Sequence, residues 1–318
     1  GKIDFVLITH IHEDHLDKDF LKQYANTETK IVFPKVFGWK YMVSLARKTG
    51  IMNQLHILDF DEKLNISNLE IQAVPPVNTD SVNDTDKIGE HALSIDASFI
   101  ITDKSKIKVA FMADNNPYNL KEIEKSFAGI GKINLFCISH SGFASDYPFH
   151  YGYSKEDCIL KYNRLEKNRQ SKQLKNIKSA IKPDAILAYS SSFLPNTWVD
   201  NNWWECAKRS EYFNTESAAL EFEKISSIKT FGLSIDSFLD LEKMKKYSVT
   251  QNDYFNEIRS CLCDSLADPQ SALKYTISYA DSSRQEDFDY REIIDKSKNN
   301  SYTIKKYHRK NCSSGIER

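Results

Sequence analysis

The sequence of 318 residues has no apolar run close to the about 18 residues that a membrane-spanning helix requires. It also lacks an excess of one charge, because 43 lysines and arginines face 44 aspartates and glutamates. Glycine (10) and proline (8) are scarce and 41% of residues are hydrophobic, which excludes collagen-like and disordered chains. We therefore expect a folded globular protein with neither a membrane nor nucleic acid as its partner.

The six cysteines are scattered along the chain, and none of them forms a C-x-x-C pair. A chain of this length can bury a sizeable core without disulfides, so we expect reduced thiols and a cytoplasmic location. The single C-x-C pair, Cys261 and Cys263, offers only two thiolates and does not predict a structural zinc site.

Apolar runs and helical spacing alternate along the chain, which predicts an α/β sandwich with helices outside the sheets. The predicted strands are residues 3–9, 30–33, 54–58, 69–73, 93–102, 107–112, 133–139 and 185–188. The predicted helices are residues 16–24, 154–181, 216–224 and 252–266, with Ser154 as the N-cap of the long one. We expect residues 1–213 to form the main domain and residues 214–318 a partly helical extension with a polar tail. The first strand starts abruptly, so we expect strands upstream of it to be absent from this chain.

Three of the eight histidines fall in the segment T-H-I-H-E-D-H at residues 9–15. On an extended chain His10 and His12 point the same way and can bind one cation, while Asp14 and His15 can face a second one. Imidazole and carboxylate ligands suit zinc or iron, and two ions about 3.5–4 Å apart can deprotonate a shared water. The alternative, a polar loop with surface histidines, is disfavoured because the preceding strand is apolar and the imidazoles would lack partners.

Further ligands are expected at the ends of later strands, where loop-borne functional groups gather in α/β proteins. The candidates are His91, Asp114 and His140. A hydrogen-bonded loop histidine is the structural alternative for His91, and a helix cap or Asx-turn is the alternative for Asp114.

The segment at residues 9–15 after an apolar strand resembles the metal signature of the metallo-β-lactamase superfamily. The resemblance implies an αββα sandwich with two divalent metal ions at its edge, zinc first and iron as the alternative. It assigns His10, His12 and His91 to one ion, Asp14 and His15 to the other, and Asp114 to both.

Residues 133–145, 162–165 and 182–193 are similar to the C-terminal metal domain of CMP-N-acetylneuraminate hydroxylases and, more weakly, to L-ascorbate-6-phosphate lactonases. This similarity runs diffusely over residues 1–245. Many superfamily members have a metal-binding histidine after the last core strand, where this chain has Tyr189 followed by three serines. The second ion is then held more weakly, completed by His140 or His150, or absent.

Residues 155–182 carry nine lysines and arginines against three acids. A positive helix face near the site would attract a small anionic substrate, although a solvated face is the simpler alternative. His150 could donate a proton to a leaving group or bind a metal, and the alternative is a partly buried structural histidine.

The leading functional hypothesis is a metal-dependent hydrolase in which metal-bound hydroxide attacks a carbonyl or phosphoryl centre. Asp14, Asp114 and His150 are the expected catalytic residues. The first alternative is a di-iron oxygenase like the hydroxylases named above, and the second is a metal-poor scaffold that only binds a partner.

Overall fold

The computed structural model describes residues 3–12, 15–36, 38–60, 62–77, 96–140, 154–190, 214–233 and 237–248. The chain separates into two units, Gly1–Tyr254 and Phe255–Arg318, and all described residues lie in the first. Among these residues, no helix is long and apolar enough to cross a membrane. Cys137 and Cys158 are free thiols.

Within the described residues, the smaller sheet has three parallel strands. They are β1 (Phe5–Leu7), β2 (Lys30–Pro34) and β3 (Leu55–Leu58), paired in that order. Parallel pairing places the carboxyl ends of all three strands at one edge, and the histidine segment directly follows β1.

The larger sheet has seven strands in the described part of the chain. They are β4 (Lys63–Ile66), β5 (Leu69–Val74), β6 (Ser98–Thr102), β7 (Lys108–Phe111), β8 (Leu135–Ser139), β9 (Ala185–Tyr189) and β10 (Thr230–Gly232). The strands from β4 to β7 pair antiparallel in chain order, and those from β7 to β10 pair parallel. A separate hairpin joins β11 (Ser237–Asp240) to β12 (Lys245–Ser248).

Helices cover the outer faces of both sheets. They are α1 (Lys18–Lys22), α2 (Trp39–Thr49), α3 (Leu120–Phe127), α4 (Lys155–Asn176), which continues as a π-helical turn (Ile177–Ile181), and α5 (Thr215–Ser226). Ser154 caps α4 as predicted, since its hydroxyl accepts a hydrogen bond from the Asp157 backbone amide. The hydroxyl satisfies one of the orphan amides at the helix start.

Core packing establishes four layers. Between the sheets, Val32 of β2 packs with Ile71 and Phe99 of the larger sheet. On the far side of the smaller sheet, Phe33 packs against Met42 of α2. Phe127 of α3 contacts Phe136 of β8, on the larger sheet's opposite face. The predicted α/β class and αββα layering are therefore confirmed.

Several elements were not predicted: α2, α3, β4, β10 and the β11–β12 hairpin. The signal for α2 was present, because its buried residues Met42, Leu45, Ala46 and Thr49 follow helical spacing. Strand β10 spans only three residues, too few for a hydrophobic pattern to show. The division of the chain after residue 213 stays a prediction, and in the structure α5 packs on β9 and β10 of the larger sheet.

Candidate metal centre

His10 lies just beyond β1, and its side chain is completely buried. The backbone pairing of β1 continues to Ile8, whose amide donates to the Val32 carbonyl. Thr9 Oγ1 lies 3.0 Å from His10 Nδ1, and His10 Nε2 lies 2.9 Å from His12 Nδ1. The strand therefore aims one ring nitrogen of each histidine at a common point.

Backbone hydrogen bonds connect His12 to the segment that starts at His15. The carbonyl of His12 accepts hydrogen bonds from the backbone amides of His15 and Leu16, which closes a helical turn. This turn brings the rings of His10 and His15 to a centroid separation of 4.2 Å. A backbone turn thus adds a third imidazole to the two on the extended segment.

Two carboxylates from the larger sheet approach these imidazoles. Asp114 Oδ2 lies 3.2 Å from His15 Nε2 and 3.7 Å from His10 Nε2. Asp96 Oδ1 lies 3.6 Å from His10 Nε2. Strand β6 begins shortly after Asp96 and the antiparallel β7 ends shortly before Asp114, so both carboxylates lie at the same sheet edge.

The ligand atoms form two groups, each with its atoms within 4.8 Å of one another. One group is His10, His12 and Asp96, and the other is His10, His15 and Asp114. His10 Nε2 belongs to both groups and can bind one ion only, so the five side chains divide between two ions or converge on one. Imidazole nitrogens with carboxylate oxygens are a donor set for zinc or iron, and the residues present fit a metal ion.

The carboxylate of Asp114 is half-exposed, and its pKa is lowered. A hydrogen bond from His15 is the largest cause, and it outweighs the opposing effect of burial. Asp114 is therefore ionised at neutral pH, which is the form that binds a cation.

Ile11, between the two histidines of the extended segment, packs against the backbone before α2. A Cβ atom at Gly38 would lie 2.8 Å from two Ile11 side-chain atoms, and Gly38 has a φ of +90°. Only glycine accepts this close approach and this backbone angle together without strain.

The structure brings together four predicted ligands: His10, His12, His15 and Asp114. Asp14, His91 and His150 lie outside the described residues. His140 lies at the end of β8 with a buried ring and belongs to neither ligand group.

Sequence reasoning missed Asp96. The predicted strand 93–102 included Asp96 as an interior residue, whereas β6 begins only at Ser98. A carboxylate inside an apolar strand pattern was the signal that could have identified it.

No protein-family model and no curated protein matches the sequence. Solved structures with related architecture include the diiron β-hydroxylase CmlA from Streptomyces venezuelae, at 21% identity and a TM-score of 0.42. That match covers 59% of this chain but only 35% of the β-hydroxylase. The metallo-β-lactamase fold protein YhfI from Bacillus subtilis matches at 12% identity and a TM-score of 0.42, over 72% of this chain and 74% of its own.

A possible metal-dependent hydrolase from Veillonella parvula matches at 12% identity and a TM-score of 0.41, over 78% of this chain and 76% of its own. The chain is similar to metallo-β-lactamase fold proteins. At these values the similarity concerns architecture, and the activity of each neighbour belongs to that neighbour alone. The narrower likeness to the hydroxylase metal domain stays a prediction.

A cavity of about 450 Å³ opens beside His15 and Asp114. Its lining includes the aromatic residues Phe99, Phe111 and Tyr189 together with two serines, Ser139 and Ser190. Burial raises the pKa of Tyr189, so its hydroxyl is neutral at physiological pH. Among the described lining residues there is no lysine or arginine.

Proposed function

We propose that this protein is a metal-dependent hydrolase acting on a small molecule. The observation that carries the proposal is the convergence of three imidazoles and two carboxylates from separate elements at one sheet edge. Such a set is costly to assemble without a cation, because His10 is completely buried and the two carboxylates, 3.6 and 3.7 Å from its Nε2, repel each other. A metal-poor scaffold would have no use for it.

A divalent ion, when bound there, supplies hydroxide near neutral pH and polarises the substrate oxygen. Thr9 Oγ1 is placed to accept a hydrogen bond from a protonated His10 Nδ1, the tautomer that leaves the Nε2 lone pair for the ion. His10 is fully buried, whereas Asp114 is half-exposed and lines the cavity. The reacting group of the substrate therefore meets the site on the side of His15 and Asp114.

The cavity supports a substrate with an apolar part. Phe99 and Phe111 offer an apolar wall, and Ser139 and Ser190 add polar lining residues near the ligand group. The predicted anionic character of the substrate depends on basic residues of α4, and these are not among the described lining residues. Catalytic roles for Asp14 and His150 stay part of the proposal.

A di-iron or mono-iron oxygenase is the second candidate function. Each ligand group contains two histidines and one carboxylate, the donor set of many non-haem iron oxygenases. Thermolysin-like zinc hydrolases use an equivalent set, so the ligands admit both metals.

Metal analysis distinguishes the hydrolase from the oxygenase. The protein is purified without added metal, its zinc and iron are measured by mass spectrometry, and it is then stripped with a chelator and reloaded with either ion. Hydrolysis of ester, lactone and phosphoester probes by the zinc form supports the proposal. Dioxygen consumption by an iron-loaded form, with no hydrolysis by either form, contradicts it.

A further inference from the structure

Asn115, directly after Asp114, is completely buried, and its side-chain amide connects three segments of the chain. Its Oδ1 accepts a hydrogen bond from the Val77 backbone amide at 2.6 Å. Its Nδ2 donates to the Pro75 carbonyl at 3.0 Å and to Ser98 Oγ at 2.9 Å. One side chain thus ties the loop that carries Asp114 to the end of β5 and the start of β6.

Ser98 completes the connection from the other side. It is fully buried at the start of β6, two residues after Asp96. Its hydroxyl accepts from Asn115 and donates to the Met112 carbonyl at 3.0 Å. The segment that carries Asp96 and the loop that carries Asp114 are therefore hydrogen-bonded to each other within a few residues of both carboxylates.

The backbone between Met112 and Asp114 adopts a conformation that needs such support. Ala113 has a φ of 49°, in the left-handed region that residues other than glycine rarely occupy. The backbone amide of Asn115 donates a hydrogen bond to the Met112 carbonyl and closes the turn over Ala113. Without the Asn115 side-chain bonds, this turn would be free to relax to an ordinary conformation and to reorient the Asp114 side chain.

We propose that Asn115 and Ser98 are a positioning pair that fixes the Asp96 and Asp114 carboxylates near His10 Nε2. Those carboxylates lie 3.6 and 3.7 Å from that nitrogen. They belong to the segments before β6 and after β7, which are joined covalently only at the other end of the two strands. The inference deepens the proposed function and rests on it, since the pair acts through metal ligands and touches no substrate.

Gln54 provides a matched control. It is also a buried amide, and its Nε2 donates to the Tyr24 and Thr27 carbonyls at 2.6 and 3.2 Å. It lies just before β3, at the opposite edge of the smaller sheet from His10. Replacing Gln54 by alanine therefore measures how the loss of a buried side-chain amide changes stability when the amide lies away from the metal ligands.

The experiment titrates the metal-stripped full chain with cobalt(II), followed by its absorption spectrum, and records the melting temperature of each variant. Asn115→Ala is expected to weaken cobalt binding by about 10- to 100-fold, as substitution of outer-shell partners of metal ligands does. Ser98→Ala is expected to weaken it less, because the Asn115 bonds to Val77 and Pro75 remain. The double variant should lose less than the sum of the two single losses, because the two residues share one hydrogen bond. Gln54→Ala should lower the melting temperature while keeping the wild-type affinity.

Wild-type affinity in both Asn115→Ala and Ser98→Ala would overturn the inference and leave the metal site standing. A loss of affinity in Gln54→Ala equal to that in Asn115→Ala would also overturn it. If Asn115→Ala does not fold, Ser98→Ala decides by the same criterion. A wild-type chain that takes up no cobalt would overturn the proposed metal site and this inference together.

Discussion

The described part of the chain contains two clusters of polar side chains with completely buried members, and they are built differently. The metal cluster at the sheet edge consists of His10, His12, His15, Asp96 and Asp114. The α4 cluster, on the inner face of the long helix, consists of Glu166, Arg169, Gln170, Gln173 and Asn176.

The α4 cluster supplies its own counter-charge. Glu166 is fully buried, and its Oε2 accepts hydrogen bonds from Arg169 Nη2 at 2.8 Å and from Gln170 Nε2 at 3.3 Å. Burial disfavours the charge on Arg169, but Glu166 and Tyr118 outweigh this and raise its pKa. The cluster also bonds outward, since Asn176 donates to the carbonyls of Pro117 and Tyr118.

The members of the metal cluster are three imidazoles and two carboxylates. Imidazole is a neutral ligand in its metal-binding form, so this cluster then carries the negative charge of its two carboxylates, which favours a bound cation. The kind of polar group, and not burial alone, therefore distinguishes the structural α4 cluster from the candidate metal cluster.

The largest effect is expected for His10→Ala. Nε2 of His10 belongs to both ligand groups, so its removal should cost more metal affinity than the about 10- to 100-fold typical of outer-shell changes. Metal content after purification, measured by mass spectrometry, should fall to background while the circular dichroism spectrum stays that of the wild type.

His56→Ala is the control for this change. His56 is a partly buried histidine on β3, outside both ligand groups. It should retain the full metal content. Equal metal content in His10→Ala and the wild type would remove the basis for the metal cluster.

Glu166→Leu should produce the next largest effect, on stability. It leaves the Arg169 guanidinium buried without its carboxylate, which costs about 3–5 kcal/mol in the free energy of unfolding. Urea unfolding measures the loss, and the folded protein should bind cobalt as the wild type does.

Adding Arg169→Met to Glu166→Leu should recover most of the lost stability, because the unpaired charge is then gone. A double variant as unstable as the single one would show that the hydrogen bonds, and not the buried charge, dominate this cluster.

Local sequence patterns predicted most of the strands and four of the five members of the metal cluster. His10, His12 and His15 lie in one short segment, so their convergence follows from strand geometry and one turn. Asp114 was found because a polar residue ended an apolar run. Asp96 reaches the site only through the antiparallel pairing of β6 with β7, a long-range contact that a local pattern does not contain.

The same limit explains the placement of His140. A histidine at the end of an apolar strand has the pattern of a ligand, but the pattern does not show which way its ring turns. In the structure the ring is buried, and neither ring nitrogen has a hydrogen-bond partner among the described residues. Its carbonyl accepts from Gln170 of the α4 cluster at 3.1 Å.

His140 gives the smallest predicted effect, as a pH dependence of stability. Burial, with a smaller contribution from Arg169, lowers the pKa of His140 to about 3, against about 6.5 in the unfolded chain. Above pH 6.5 the ring is neutral in both states and contributes no slope. As the pH falls below 6.5, His140 binds a proton in the unfolded state but stays neutral in the folded state, so the free energy of unfolding decreases.

The wild type should therefore lose about 1 kcal/mol more than His140→Phe between pH 6.5 and 5.5, in urea unfolding of chelator-treated protein. The comparison uses the difference between two pH values within each variant, so any constant cost of the substitution cancels. Parallel pH profiles would show that the His140 ring is solvated in the folded protein. Retained cobalt binding in His140→Phe would show that His140 has a structural role. Lost binding would support its predicted role as a metal ligand.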